Sequence, residues 1–134
     1  MSDLKPGMVH EESLLVEDQH TAVHLGSGGV KVLATPIMVA LMEAAARNIV
    51  DPTLEPGHMT VGTALTVKHL AATPTGVRVT ARAELVKVRG RWLDFDLEVF
   101  DNREKVGEGT HTRAIVNLRR FWDKLQTKMD IGLA

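Results

Sequence analysis

The sequence predicts an α+β fold in which one long helix is wrapped by a curved antiparallel sheet. Three observations predict it. The stretch Ala34–Val50 is apolar nearly all round, and such a helix needs cover on most sides. From Met59 almost to its end the chain is a series of period-two segments joined by short turns, the pattern of hairpin-linked strands with one wet face. The sheet these strands make is the only element large enough to cover the helix.

Taken in order, residues 1–8 read as a frayed leader. Val9–Val16 is a weak strand candidate and Thr21–Leu25 a short one. Gly26-Ser27-Gly28-Gly29 reads as a flexible loop, a lid over whatever Glu43 serves. A phosphate cradle there would call for a following Gly-Lys-Ser/Thr and a helix start closer by. Thr35 is expected to cap the long helix with its hydroxyl. Pro36 suits the first helical position, where its missing N–H costs nothing. Met38, Leu41, Met42, Ala45 and Ile49 form the core stripe, and Asp51-Pro52 supplies the stop.

A loop rich in proline and glycine follows, then Met59–Leu70 as one extended run. Gly62 breaks that run where a backbone or ligand comes close. After the Thr73–Gly76 turn, Val77, Val79, Ala81, Ala83 and Leu85 alternate with polar residues. The parity slips at Val86 and Val88, which predicts a bulge. Arg89-Gly90 turns the chain into Leu93–Val99, and Asp101-Asn102 turns it again. Thr110, Thr112, Ala114 and Val116 then alternate with His111, Arg113, Ile115 and Asn117. An amphipathic helix over 119–128 closes the reading, with Phe121, Trp122 and Leu125 inward. A curved sheet around one helix is the hotdog arrangement. It leaves strand edges and a helix flank open, so a homodimer or a dimer of dimers is expected.

Composition narrows the function classes. The 134 residues are expected to form one domain, 1–134, with an ordinary 44% apolar and 25% charged content. Sixteen basic and seventeen acidic residues give a net charge of −1, which implies no nucleic-acid or membrane partner. With no Tyr and five aromatics in all, a base-stacking platform is not expected. The absence of cysteine excludes thiolate chemistry and is compatible with a cytoplasmic location, which is the expectation. No apolar run reaches membrane-spanning length, and the acidic Asp3, Glu11 and Glu12 do not fit a signal peptide.

The chemistry centres on Glu43, the one polar side chain between Pro36 and Ala46. Acids avoid interiors unless paired or employed. The competing reading is a helix ion pair with Arg47, acid first and base four later. Thr35 sits at the positive end of the helix, where a hydroxyl is well placed to serve a substrate. His69, on the long strand beside a turn, can exchange protons near neutral pH. His10, His20, His24, His58 and His111 compete with it. Without cysteine or a His-Glu-x-x-His pattern, no metal site is expected.

The segments Met38-Val39-Ala40-Leu41-Met42-Glu43, Gly62-Thr63-Ala64, Val67-Lys68-His69, Ala71-Ala72-Thr73-Pro74, Val88-Arg89-Gly90-Arg91 and Gly109-Thr110-His111-Thr112-Arg113-Ala114 carry a resemblance. Over Thr35–Val116 the chain resembles the fluoroacetyl-CoA thioesterase branch of the hotdog thioesterases. The resemblance implies hydrolysis of a small acyl-CoA thioester, with Thr35, Glu43 and His69 as the catalytic constellation. It implies substrate contacts at Gly62 and Arg113, and no cofactor, CoA being part of the substrate. Glu43 would attack the carbonyl or activate a water. The segment before Thr35 is shorter than in the fluoroacetate enzyme, which carries aromatic lid residues there. A different or missing lid is therefore expected, without selectivity for fluoroacetyl groups. A non-catalytic acyl-CoA binding module of the same fold is the alternative.

Overall fold

The computed structural model describes residues 3–133, with side chains through residue 130. In chain order the elements are β1 (Val9–Leu15), a one-turn helix α1 (Ala22–Leu25), the long helix α2 (Thr35–Val50), β2 (His58–His69), β3 (Arg78–Arg89), β4 (Trp92–Phe100), β5 (Lys105–Asn117) and the helix α3 (Leu118–Leu133). The strands pair antiparallel in the order β1-β3-β4-β5-β2. Both β1 and the 12-residue β2 are therefore edge strands. The curled sheet holds α2 against β1, β3 and β4, which is the hotdog fold.

The alternation in β3 and β4 puts Val79, Ala81, Ala83, Leu85, Leu93, Phe95, Leu97 and Val99 on the inner face, all buried. Against them α2 packs Met38, Met42, Ala45, Ala46, Ile49 and Val50. Burying a side chain of this size stabilises by about 1.5–3 kcal/mol. Small residues set how closely the layers approach. A Cβ on Gly107 of β5 would stand 2.6 Å from the Met38 sulfur, so the glycine makes room for the first turn of α2. The slip at Val86 is a bulge, with the β3–β4 register shifting between Leu85 and Lys87. It leaves both Val86 and Val88 exposed.

Five expectations change. Residues 3–8 are tied to the sheet: Gly7 N–H donates to Leu85 O, Leu85 N–H donates to Met8 O, and Leu4 and Met8 pack on the core; the rest of the expected leader, residues 1–2, lies outside the described residues. Thr21–Leu25 is not a strand, because Thr21 Oγ1 accepts the His24 N–H and starts α1, which Gly26 ends at φ 76°. The N-cap of α2 is Ala34, which leaves Thr35 inside the helix with its hydroxyl engaged elsewhere. The sheet covers one side of α2 only, so Ala40 is exposed and Ala44 half-buried. Finally, α3 runs off the end of β5 and leaves Leu118, Trp122, Leu125 and Met129 exposed, with only Phe121 of its expected inward residues half-buried. Among the described residues no helix is long and apolar enough to cross a membrane.

Candidate active site

Two groups of polar side chains flank the open side of α2. The first joins the start of α2 to the end of β2. Thr35 Oγ1 lies 2.7 Å from His69 Nδ1. The geometry follows from the local chain: Ala34 caps the helix with its backbone, so the Thr35 hydroxyl is free to face the strand. The second ring nitrogen, His69 Nε2, is buried without a hydrogen-bond partner among the described residues. Burial holds the His69 imidazole below its ordinary range, against a smaller opposing pull from the Ala71 backbone. Thr35 and His69 border an open recess of about 510 Å³ together with Ala22, Ser27, Leu33 and Ala71. The glycine-containing loop therefore edges this recess through Ser27, and not the surroundings of Glu43.

The second group is built around Glu43. Its Oε2 lies 3.8 Å from Arg113 Nη1, and its side chain is 42% exposed. Glu43 is thus half-buried in this chain, because α2 turns that flank toward edge strand β2 and away from the core. The alternative pairing with Arg47 does not form: Arg47 Nε donates to Asp51 Oδ2 at 2.9 Å instead. Gly62 closes the group. A Cβ there would meet Glu43 Oε2 at 2.9 Å and His111 Cε1 at 3.2 Å. The close approach expected at Gly62 is therefore to the carboxylate itself. The β2–β5 register shifts between Gly62 and Ala64, and this bulge re-aims the strand beside Glu43.

Arg113 is only 6% exposed and its fork is fully directed. Nε donates to Thr60 Oγ1 at 2.8 Å, Nη2 to Thr60 O at 3.0 Å, and Nη1 to His111 Nε2 at 3.2 Å. Thr60 Oγ1 in turn donates to Asp51 Oδ1 at 2.6 Å. Burial lowers the Arg113 pKa, while the Asp51 and Glu43 carboxylates favour its charged form. His111, 3% exposed, approaches Ala64 O with Nδ1 at 2.8 Å. A carbonyl only accepts, so Nδ1 carries the proton and Nε2 offers a lone pair to Arg113. Burial likewise holds His111 below its ordinary range.

The structure thus joins Thr35 to His69, and Glu43 to Gly62 and Arg113, as two separate groups. Thr35 and Glu43 are eight residues apart on α2, about 12 Å of helical rise. Gly62 and His69 are seven apart on β2, about 23 Å of strand. Sequence reasoning missed the support of Arg113 by Thr60, Asp51 and His111. One signal was available: His111 and Arg113 share a strand face at i, i+2. Among the described residues no cluster of three or more His, Asp or Glu is placed to hold a metal ion.

Comparison with known proteins agrees with the fold. The family described as FlK, fluoroacetyl-CoA-specific thioesterase, matches residues 16–119. The fluoroacetyl-CoA thioesterase of Streptantibioticus cattleyicolor is 44% identical over 102 residues, which are 76% of this chain and 73% of that protein. The crystal structure of a Thr→Ser mutant of FlK in complex with acetyl-CoA superposes with a TM-score of 0.87 at 37% identity, covering 93% of this chain and 98% of that one. A Thermus thermophilus thioesterase superfamily member, 24% identical, shares the fold with a TM-score of 0.88 over 98% of this chain and 99% of its own. A family match over residues 16–119, a span that includes the helix and strands holding both polar groups, means that this protein belongs to the fluoroacetyl-CoA-specific thioesterase family.

Proposed function

We propose that this chain hydrolyses a small acyl-CoA thioester to the free acid and CoA, with Thr35, Glu43 and His69 as catalytic residues. Thioester hydrolysis is the activity of the family to which the chain belongs. The observation that carries the residue assignment is the 2.7 Å contact of Thr35 Oγ1 with His69 Nδ1 at the start of α2. A hydroxyl and an imidazole brought together at the positive end of a helix can receive an acyl carbonyl. Thr35 and a backbone N–H steady the oxyanion as it develops. Glu43 either attacks the carbonyl, giving an anhydride that water then opens, or takes a proton from the attacking water. The proton that the attacking water loses is then taken up by His69, largely neutral near pH 7, and passed on to the CoA sulfur, which has left as the thiolate.

A second copy of the chain brings a carboxylate nearer to the Thr35–His69 pair than the chain's own Glu43. The exposed part of β2 runs from Gly62 to Thr66 and is centred on Ala64. Antiparallel pairing of two copies about that centre sets Gly62 of the partner subunit opposite Thr66. Glu43 of the partner subunit then stands about three residues of strand, roughly 10 Å, from His69, where the chain's own Glu43 is about twice as far. The unpaired edge and the open flank of α2 are what such pairing would cover. The short segment before Thr35 supports acceptance of small acyl groups without fluoroacetyl selectivity.

Steady-state hydrolysis of an acyl-CoA panel tests the assignment. Glu43→Ala is expected to lower kcat at least 100-fold, and full activity in that variant would remove Glu43 from the mechanism. The alternative, a non-catalytic acyl-CoA binding module, predicts a thermal upshift with acyl-CoA by mass action but no turnover in the wild-type protein.

A further inference from the structure

We propose that His111 is a positioning residue: its unprotonated Nε2 orients the Arg113 guanidinium so that Nη1 faces Glu43. The inference rests on Glu43 being the reacting carboxylate, and it assigns work to a histidine that the reaction itself does not use. The bonds on the two sides of the ring carry it. On one side Nδ1–H donates to Ala64 O at 2.8 Å, which fixes the tautomer. On the other side Nε2 stands 3.2 Å from Arg113 Nη1, and an Arg nitrogen only donates. His111 is therefore the acceptor, and it has to be neutral to accept.

The remaining bonds to Arg113 leave the rigid guanidinium one freedom, a tilt about its Nε–Nη2 edge that carries Nη1 up or down. Thr60 holds Nε through its hydroxyl and Nη2 through its carbonyl. These two contacts hold one edge of the planar fork, and the opposite corner, Nη1, is the one within 3.8 Å of Glu43 Oε2. His111 is the neighbour that meets this corner. The ring is itself locked: it is 3% exposed, its centroid is 6.0 Å from that of Phe95, and a Cβ on Gly62 would crowd its Cε1. Arg113 in this setting is a buried cation, and one free to tilt about the edge that Thr60 holds would carry Nη1 away from the carboxylate. A neutral ring that accepts from one specified nitrogen is what keeps it facing Glu43.

Two substitutions separate the two ends of the ring. In His111→Gln the side-chain amide reaches the Nε2 position, so its oxygen can accept from Arg113. In His111→Asn the amide reaches only the Nδ1 position, which keeps the bond to Ala64 O and abandons Arg113. Turnover of acetyl-CoA is measured for both, with folding checked by circular dichroism. His111→Gln is expected to keep kcat within about 5-fold of wild type, and His111→Asn to lose at least 20-fold in kcat with KM changed less than 3-fold. In an Arg113→Lys background the two His111 variants are expected to become equal, because the lysine has no fork to orient. Equal kcat for Gln and Asn in the wild-type background, or failure of both to fold, would make His111 structural and overturn the proposal. Glu43→Ala run in parallel keeps the two levels apart. If that variant is inactive while His111→Asn is unimpaired, the positioning role fails and the carboxylate assignment stands. If Glu43→Ala is fully active, the assignment itself fails.

Discussion

At the scale of single residues, the site depends on what is left out as much as on what is present. Gly62 is the clearest case. An added methyl would meet Glu43 Oε2 at 2.9 Å, closer than side chains tolerate, so the carboxylate would have to turn away from Arg113. Because Gly62 lies on an exposed edge strand, little packing is lost with it. Gly62→Ala is accordingly expected to lower kcat at least 10-fold while shifting Tm by less than about 3 °C, measured by thioester hydrolysis and by thermal melts. Protonation gives a second expectation. Burial holds His69 and His111 below the ordinary imidazole value of 6.5, so below about pH 6.5 the unfolded chain binds protons there that the folded chain refuses. The stability these two histidines contribute is present above that pH and is lost as pH falls through their lowered values. Tm is expected to fall between about pH 7 and 5, less steeply in His111→Gln; an unchanged slope in that variant would count against a buried neutral His111.

Individual elements show why some signals were readable and others were not. The start of α2 looks in sequence like a hydroxyl cap followed by proline, and the helix does start there. Its cap is Ala34, however, because the Thr35 hydroxyl has a better partner in His69, which is 34 residues away and invisible to local rules. Thr35→Val therefore removes no cap. It removes the Thr35–His69 hydrogen bond instead, so the variant is expected to lose about 0.5–1.5 kcal/mol in a denaturant melt, while its kcat falls at least 10-fold. In β5, the close fit to β2 depends on Gly109, where a Cβ would run into Thr66 O. Gly109→Ala is expected to force the two strands apart. A drop in Tm of more than about 5 °C, with protection from hydrogen exchange lost along β2, is the readout. The bulge after Leu85 was legible because apolar parity slips there. The helix α1 was not, because Thr21–Leu25 is too short for any period to show.

For the whole molecule, the open flank of α2 and the unpaired β2 edge belong together. Both border the two polar groups, and both would be covered by a second copy. In light scattering the protein is expected to run as a dimer or a multiple of one. Leu65→Lys places a charge on an exposed position of the β2 edge and should yield a less associated species with little thioesterase activity. A monomeric wild-type protein of full activity would rule out the shared site.

The sequence by itself determined the layer arrangement, because periods of 3.6 and 2 state which faces must be buried, and it singled out Glu43 as a lone acid on an apolar helix. The tertiary structure decided the partners. It paired Thr35 with His69, turned Arg47 toward Asp51, and gave Arg113 and His111 to Glu43. Apart from Arg47–Asp51, a local i, i+4 pair at the end of α2, those contacts join residues 34 to 70 positions apart, and the bulge at Gly62 and the curl of the sheet set them. No local pattern carries that information, since it exists only once the strands have chosen their neighbours.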